Sequence, residues 1–334
     1  MNELIPAFDF HQVIVAPWTT DFSAFGWIML MGFLVTAACG LVGNYLLLRR
    51  LALMGDAVSH SVLPGLVIAF LLSQSRGTGA MFAGALIAGV LSTVIIEFIH
   101  TKTRVKQDAA MGIAFTTLFA IGVILTSLYA SRIDLDADCV LFGEIAYVPL
   151  EPLVALGGVE IAPASVLRMG GVLLVVIGLI VAFYKELLVS SFDAGLARSL
   201  GLNPTFAHFA LMAVLSIVVV SAFESVGAIL VIAMLILPGA TASLLTTRLP
   251  RVHGLAVLHA AVSAVLGTHL GLWLECSLGA AMVVAGTGLF MLAWLLNPRD
   301  GLLWRGQRLL LKGNAAPGAA PTGAPATPAP AGRP

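Results

Sequence analysis

Charged residues are scarce in this chain. Asp, Glu, Lys and Arg make up 10% of the 334 residues and hydrophobic residues 59%, whereas about a quarter of the residues of a soluble protein are charged. The formal net charge is zero, so nothing indicates nucleic-acid binding. The alternating pattern of barrel strands is also absent. Apolar runs of about 20 residues recur instead, which is the length of a membrane-crossing α-helix. These features predict an all-α polytopic membrane protein.

Several chemical signatures are missing as well. The three cysteines, Cys39, Cys139 and Cys276, form no closely spaced pair of the kind that zinc sites use. Cys139 and Cys276 both fall on the predicted outer side, where they form either a disulfide or two free thiols. No HExxH motif of a metalloprotease is present. A phosphate-binding loop of the form GxxxxGK followed by Ser or Thr is also missing, so another polypeptide must hydrolyse any ATP that this protein uses.

The apolar runs predict nine membrane spans, give or take one. Their expected positions are residues 23–48, 51–72, 78–99, 109–129, 166–189, 206–223, 227–246, 253–273 and 278–296. The stretch 206–246 is too long for one crossing and is best divided around Glu224 to Gly227, although a kinked or re-entrant piece is an alternative there.

The ends of the chain differ from the spans in composition. Residues 1–22 contain acids and no basic start, so we expect no cleavable signal and an extracytoplasmic segment, with the first span as the targeting signal. The membrane domain then covers 23–298, and a basic cytoplasmic segment covers 299–312. Residues 313–334 are nearly all Ala, Pro, Gly and Thr, a composition typical of a disordered tail.

The orientation follows from the distribution of basic residues, because Lys and Arg accumulate in cytoplasmic loops. If the N terminus lies outside, only Arg76, Arg132 and Arg168 of the 17 basic residues fall on the outer side. This bias predicts a C terminus in the cytoplasm of a bacterial inner membrane.

The stretch MGDAVSHSVLPG, residues 54–65, places costly groups in an apolar helix. Asp56 and His60 are the only ionisable residues of the second predicted span, and their spacing of four puts them on one helix face. Pro64 lacks the N–H that would bond to the carbonyl of His60, so the helix should bend there. Gly55 and Gly65 permit close approach of a neighbouring helix. Pro64 and Gly65 are therefore candidates for a kink or gate.

Two interpretations of Asp56 and His60 are open. They could hydrogen-bond to each other and stabilise the packing, or they could bind a metal ion, since ionisable residues inside a membrane are functional by default. One helix supplies only two ligands, whereas a first-row metal usually takes four or more. A two-fold symmetric pair of chains, with this helix at the axis, would supply four.

A second distinctive stretch, ELLVSSFDAGLARSLGLNP, occupies residues 186–204 on the predicted cytoplasmic side. Asp193 can cap a short helix, and Gly201 and then Pro204 can end it. We expect Leu196, Ala197 and Leu200 to form a small apolar face on this helix, which would dock on a protein. A helix lying on the lipid headgroups is the alternative.

Three stretches together resemble the permease subunits of ATP-binding-cassette importers for manganese, zinc and iron. They are RRLALMGDAVSHSVLPGLVIAFLL (49–72), LLVSSFDAGLARSLGLNP (187–204) and VGAILVIAMLILPGATA (226–242). The resemblance, from about residue 20 to 300, implies the type II importer permease architecture. It also implies an extracytoplasmic metal-binding protein, a second permease that is identical or paralogous, and two cytoplasmic ATPases. No permanently bound cofactor is expected, only the transported Mn, Zn or Fe ion.

The resemblance also assigns roles to residues. Asp56 and His60 occupy the positions that contribute to metal binding in the translocation path. The loop of the ATPase-coupling helix maps onto Phe192, Asp193, Leu196, Ala197, Arg198, Leu200 and Gly201. The residues that family members often have after the FD pair, a proline and an acid, are replaced here by Ala194 and Gly195. Independently of the resemblance, Glu224 lies near a predicted span end, where a carboxylate can reach water, and is either an interfacial residue or a gate.

Two other transport classes compete with this interpretation. A stand-alone, proton-coupled metal carrier could use Asp56 and His60 as a relay, but it would have no need of a docking helix at 191–204. A permease for vitamin B12 or siderophores would need a wider and less charged path, which a metal-binding pair in the middle of the membrane argues against.

Overall fold

The computed structural model describes residues 6–74, 78–129, 145–156 and 159–297. Helices account for nearly all of them, as the composition predicts. Four long helices come first: α1 (Phe22–Leu48), α2 (Met54–Ser73), α3 (Thr78–Lys102) and α4 (Gln107–Tyr129). Seven follow: α5 (Ala164–Ala182), α6 (Tyr184–Phe192), α7 (Ala194–Ser199), α8 (Pro204–Val226), α9 (Ala228–Leu245), α10 (Leu249–Leu274) and α11 (Leu278–Leu296).

Eight of the helices in the described ranges are long and apolar enough to cross a membrane, namely α1 to α5, α8, α10 and α11. The ninth predicted span corresponds to α9, which has 18 residues and contains Pro238. Leu230 of α9 lies near Gly279 at the start of α11, and Gly239 lies near Asn44 at the end of α1. The count of nine stays a prediction, but α9 does connect the two ends of the helix bundle.

The boundary between α8 and α9 falls inside the predicted interval. Gly227 separates the two helices with φ +80°, a left-handed backbone conformation that only glycine adopts without strain. The predicted span 166–189, in contrast, was wrong as a single helix. Its backbone leaves the helical region at Phe183, so α5 ends at Ala182 and α6 begins as a separate, more polar helix.

The bundle is organised around α1 and α2. Helix α1 is the most buried of the eight long spans and packs against α5, α8, α9 and α10, while α2 packs mainly against α3 and α4. Large side chains of α1 such as Met31, Tyr45 and Leu46 are almost completely inaccessible. Because α1 is apolar on every side, it suits a position inside the bundle.

The segment before α1 lies on the end of the molecule where α10 ends. Trp18 Nε1 donates to His269 Nε2 at 3.1 Å, and Trp273 Nε1 donates to the carbonyl oxygen of Pro6 at 3.2 Å. The loop between α4 and α5 contains an antiparallel hairpin, β1 (Leu153–Leu156) and β2 (Val159–Pro163), which the sequence did not indicate.

Residues Met1–Ala293 form one compact unit and Trp294–Pro334 a second. Only the end of α11 and Asn297 are described in the second unit, so the predicted cytoplasmic segment 299–312 and tail 313–334 lie outside the described residues. Cys139 and the basic residue Arg132 lie outside them too, whereas Cys276 is exposed.

Candidate functional site

Asp56 and His60 lie side by side on α2, as their spacing predicts. His60 Nε2 is 3.1 Å from Asp56 Oδ1, and the two side chains are 28% and 31% exposed for His60 and Asp56 respectively. This distance fits a hydrogen bond as well as a shared ion. Because both side chains are partly exposed in the single chain, their remaining lone pairs are accessible to a further partner.

Aromatic rings of α4 form the wall beside the pair. The His60 ring lies 5.9 Å from the ring of Phe115 and 5.8 Å from that of Phe119, measured between centroids. Both aromatic neighbours are apolar, whereas Asp56 places a carboxylate beside the imidazole of His60. No group of three or more His, Cys, Asp or Glu side chains able to hold a metal occurs in the described part of the chain. One copy of the chain therefore offers two metal ligands at this position.

Glycines fix the position of α2, as the sequence predicts. A Cβ at Gly55 would meet the side chain of Leu235 in α9. A Cβ at Gly65 would overlap the backbone carbonyl of Gly84 and lie 2.6 Å from the Cβ of Ala88, both in α3. The backbones of α2 and α3 thus approach as closely as small residues permit. Pro64 is buried, and α2 continues through it to Ser73.

This close approach predicts a clear effect of Gly65→Ala. The new methyl group would meet backbone atoms that cannot rotate away, so we expect the variant to lose about 1–3 kcal/mol of stability. Thermal unfolding of the purified protein in detergent would measure the loss. Gly112→Ala is the matched control, because a Cβ there meets nothing within 4 Å. Equal melting temperatures for the two variants would contradict the tight contact between α2 and α3.

The stretch 186–204 adopts the capped arrangement that its sequence predicts. Asp193 Oδ1 accepts hydrogen bonds from the backbone N–H groups of Gly195 at 2.8 Å and Leu196 at 3.0 Å, which starts α7. Gly201 ends it with φ +79°, and Asn203 Oδ1 caps α8 by accepting from the N–H of Phe206.

The apolar face of α7 differs from the predicted one in one residue. Leu196 and Leu200 are 50% and 60% exposed, whereas Ala197 is completely buried. The reason is geometric, because Ala197 is one residue along from Leu196 and turns about 100° towards the bundle. Phe192, the last residue of α6, is 68% exposed. Asp193, Arg198 and Gly201 are exposed as well. We call Phe192, Leu196 and Leu200, which lie on α7 and just before and after it, the exposed face of α7.

The sequence did not indicate two further polar contacts. Glu97 of α3 and His208 of α8 form a pair with Nε2 3.4 Å from Oε2, although 110 residues separate them along the chain. Arg49, just after α1, donates from Nη2 to Ser190 Oγ at 2.9 Å and from Nε to Ser191 Oγ at 3.0 Å in α6. Burial lowers the pKa of the Arg49 guanidinium, and the nearby Tyr45 raises it in part.

The last candidate, Glu224, is placed only by its backbone, which lies near the end of α8. Its side chain is outside the described part of the structure. Two histidines of α10 pack inside the helix bundle. His253 contacts Asn44 at 2.8 Å and Tyr45 at 3.3 Å, and His259 is buried.

Eight long apolar helices in the described ranges define the class of this chain, an all-α membrane protein. Residues 21–297 match the model of the ABC 3 transport family. The chain belongs to this family, which confirms the resemblance of its three motifs and argues against a stand-alone carrier.

Relatives of known transport systems cover most of the chain. The manganese transport system membrane protein MntD of Bacillus subtilis is 42% identical over 284 residues, 85% of this chain and 96% of that protein. The zinc transport system membrane protein TroD of Treponema pallidum is also 42% identical, over 83% of this chain and 75% of that protein. A probable iron transport system membrane protein of Haemophilus influenzae is 33% identical, over 89% of this chain and 98% of its own length.

The fold has a counterpart among solved structures. PsaBC from Streptococcus pneumoniae, solved in complex with a Fab, contains a chain that superimposes with a TM-score of 0.71 at 31% identity. The alignment covers 90% of the present chain and 100% of that one. The likeness thus extends over essentially the whole helical bundle.

Proposed function

We propose that this chain is the channel-forming permease subunit of an ATP-driven importer of a divalent metal ion. The observation that carries the proposal is the carboxylate and imidazole pair of Asp56 and His60, 3.1 Å apart and partly exposed on a membrane helix. Asp56 lies in the first turn of α2, and a carboxylate on a membrane helix is costly unless it is paired or bound to a cation. Relatives named for manganese, zinc and iron transport support the assignment of the cation.

The metal site is complete only between two permeases. One chain supplies one oxygen and one nitrogen ligand, and a second permease, identical or paralogous, supplies the same two across a two-fold axis. Such a mixed set of four suits manganese, zinc or iron. We favour manganese or zinc. The ion would be held just firmly enough for selection and loosely enough for release.

The energy for transport comes from another polypeptide. The chain contains no phosphate-binding loop, and the exposed face of α7 offers Phe192, Leu196 and Leu200 to a partner. We infer that each of two cytoplasmic ATPases receives one such helix. An extracytoplasmic binding protein would deliver metal at the opposite end, where the N-terminal segment lies. This arrangement requires an inner-membrane protein with its N terminus outside and its C terminus in the cytoplasm.

Reconstitution tests the proposal directly. The permease is placed in liposomes with the ATPase and the metal-binding protein that should be encoded beside it, and accumulation of Mn²⁺, Zn²⁺ and Fe²⁺ is measured separately. We expect uptake of Mn²⁺ or Zn²⁺ that requires ATP and the binding protein and persists when a protonophore removes the pH gradient. Uptake without the ATPase, driven by a pH gradient, would show that the chain is a secondary carrier instead.

A further inference from the structure

Two polar contacts flank residues 192–200, the segment that carries the exposed face of α7. We call these residues the docking segment. Before it, Ser190 and Ser191 near the end of α6 accept hydrogen bonds from Arg49. After it, His208 in the first turns of α8 meets Glu97 of α3. The two contacts thus hold the chain on either side of α7, one against the end of α1 and one against α3. We call Arg49, Ser190, Ser191, Glu97 and His208 the polar clamp.

Local hydrogen bonds connect α6, α7 and α8 in the segment between these contacts. Asp193 joins α6 to α7 through its cap, and the N–H groups of Gly201 and Leu202 bond back to the carbonyls of Arg198 and Ala197. Asn203 then caps α8. These hydrogen bonds connect α7 to the end of α6 and to the start of α8, so a displacement of α7 would act on both.

Arg49 and Glu97 connect the polar clamp to α2, the helix that carries Asp56 and His60. Arg49 begins the short connection to α2, which is held by a hydrogen bond from the N–H of Leu51 to the carbonyl of Leu46 at 2.8 Å. Glu97 belongs to α3, whose Gly84 is in backbone contact with Gly65 of α2. The two contacts therefore reach α2 by independent routes, one through its first residues and one through its close-packed neighbour.

Hydrogen bonds within α6 orient the side chains of Ser190 and Ser191. Ser191 Oγ donates to the carbonyl of Leu187 at 2.6 Å and Ser190 Oγ to the same carbonyl at 3.3 Å. Their lone pairs are thus turned towards the guanidinium of Arg49, whose planar group donates from two nitrogens at once. A charge that is partly removed from water is costly unless it is hydrogen-bonded. The hydrogen bonds of Arg49 to Ser190 and Ser191 therefore matter more than those of a fully exposed side chain would.

We propose that the polar clamp is the coupling link of the permease: it transmits movement of the docked α7 to α2 and so opens the site of Asp56 and His60. The proposal rests on the function proposed above, because it takes the exposed face of α7 as the ATPase-docking surface. Arg49, Glu97 and His208 act as positioning residues and do not bind the transported metal.

The test compares metal uptake with ATP hydrolysis in the complete reconstituted transporter. Arg49→Met should leave the ATPase bound and ATP hydrolysis within about twofold of the unmodified complex, while the amount of metal imported per ATP falls at least tenfold. Arg50→Met is the matched control, since it removes the same charge from the adjacent, exposed residue. A loss of fold would reduce hydrolysis and uptake together, whereas uncoupling changes their ratio.

A second variant approaches the same contact from α6. The double substitution Ser190→Ala and Ser191→Ala removes only two oxygen atoms and should also lower the metal imported per ATP. Combined with Arg49→Met it should cause no additional loss, because both changes break one contact. Glu97→Ala should uncouple the complex through the other route.

Three results would overturn the proposal. They are an unchanged ratio of metal to ATP in Arg49→Met, independent losses that multiply in the combined variant, and full coupling in Glu97→Ala. The function proposed above fails by a different criterion, the absence of ATP-dependent uptake in the unmodified complex.

Discussion

Substitution of Asp56 or His60 by alanine is expected to abolish metal accumulation. Each variant removes one of the two ligands that we propose a single chain contributes, and two-fold symmetry doubles the loss in an identical pair. Changes to groups that only support a metal ligand already cost 10–100-fold, so we expect uptake to fall by at least about 100-fold. Accumulation of the radioactive metal in the reconstituted transporter measures the effect.

Suitable controls are available on neighbouring helices. Asp108→Ala removes an exposed carboxylate from the first turn of α4, and His100→Ala removes an imidazole from the last turn of α3. Both variants should transport normally. The Asp56 and His60 variants should remain folded and bound to the ATPase, because their side chains are not part of the buried core. Normal uptake by either of them would end the metal-site hypothesis.

The second large effect is expected from Leu196→Asp. The substitution places a carboxylate in the middle of the exposed face of α7, between Phe192 and Leu200. A buried anchor of a protein interface is worth at least about 2 kcal/mol, which corresponds to about 30-fold in affinity, and an uncompensated charge adds a desolvation cost. We expect the ATPase to be lost during co-purification and ATP-dependent uptake to disappear.

Ala194→Asp is the control for this experiment. It introduces the same charge at the first residue of α7, where a carboxylate is favourable near the helix N terminus, and it should leave the complex intact. If the Leu196→Asp protein still co-purified with the ATPase, the docking surface would lie elsewhere on the cytoplasmic side.

Sequence patterns predicted the features that depend on near neighbours along the chain. The length and hydropathy of the apolar runs located the spans, because a helix needs about 20 consecutive apolar residues to cross the hydrocarbon core of a bilayer, whatever the rest of the fold is. The spacing of Asp56 and His60 placed them in contact, because residues four apart share one face of a helix. The caps at Asp193 and Gly201 were also predictable, since their hydrogen bonds and backbone angles are local.

Features that join distant segments could not be predicted in the same way. No sequence pattern joins Glu97 to His208, and the structure pairs them across α3 and α8. Ala197 was expected on the docking face and is buried, because the orientation of α7 depends on how α6 and α8 meet the bundle. The split of the fifth predicted span likewise shows only in the backbone of Phe183, which leaves the helical region where α5 ends.

The sequence by itself determined that this chain is a helical membrane protein of the metal-permease kind, with one carboxylate and imidazole pair on α2 and one capped helix between α6 and α8. Only the tertiary structure decided which residues connect these two features: Arg49 with Ser190 and Ser191, and Glu97 with His208. The physical reason is that periodicity and capping act within a few residues of chain. A contact between helices, in contrast, depends on their rotation and depth in the bundle, which close-packed residues such as Gly65 and Gly84 set jointly.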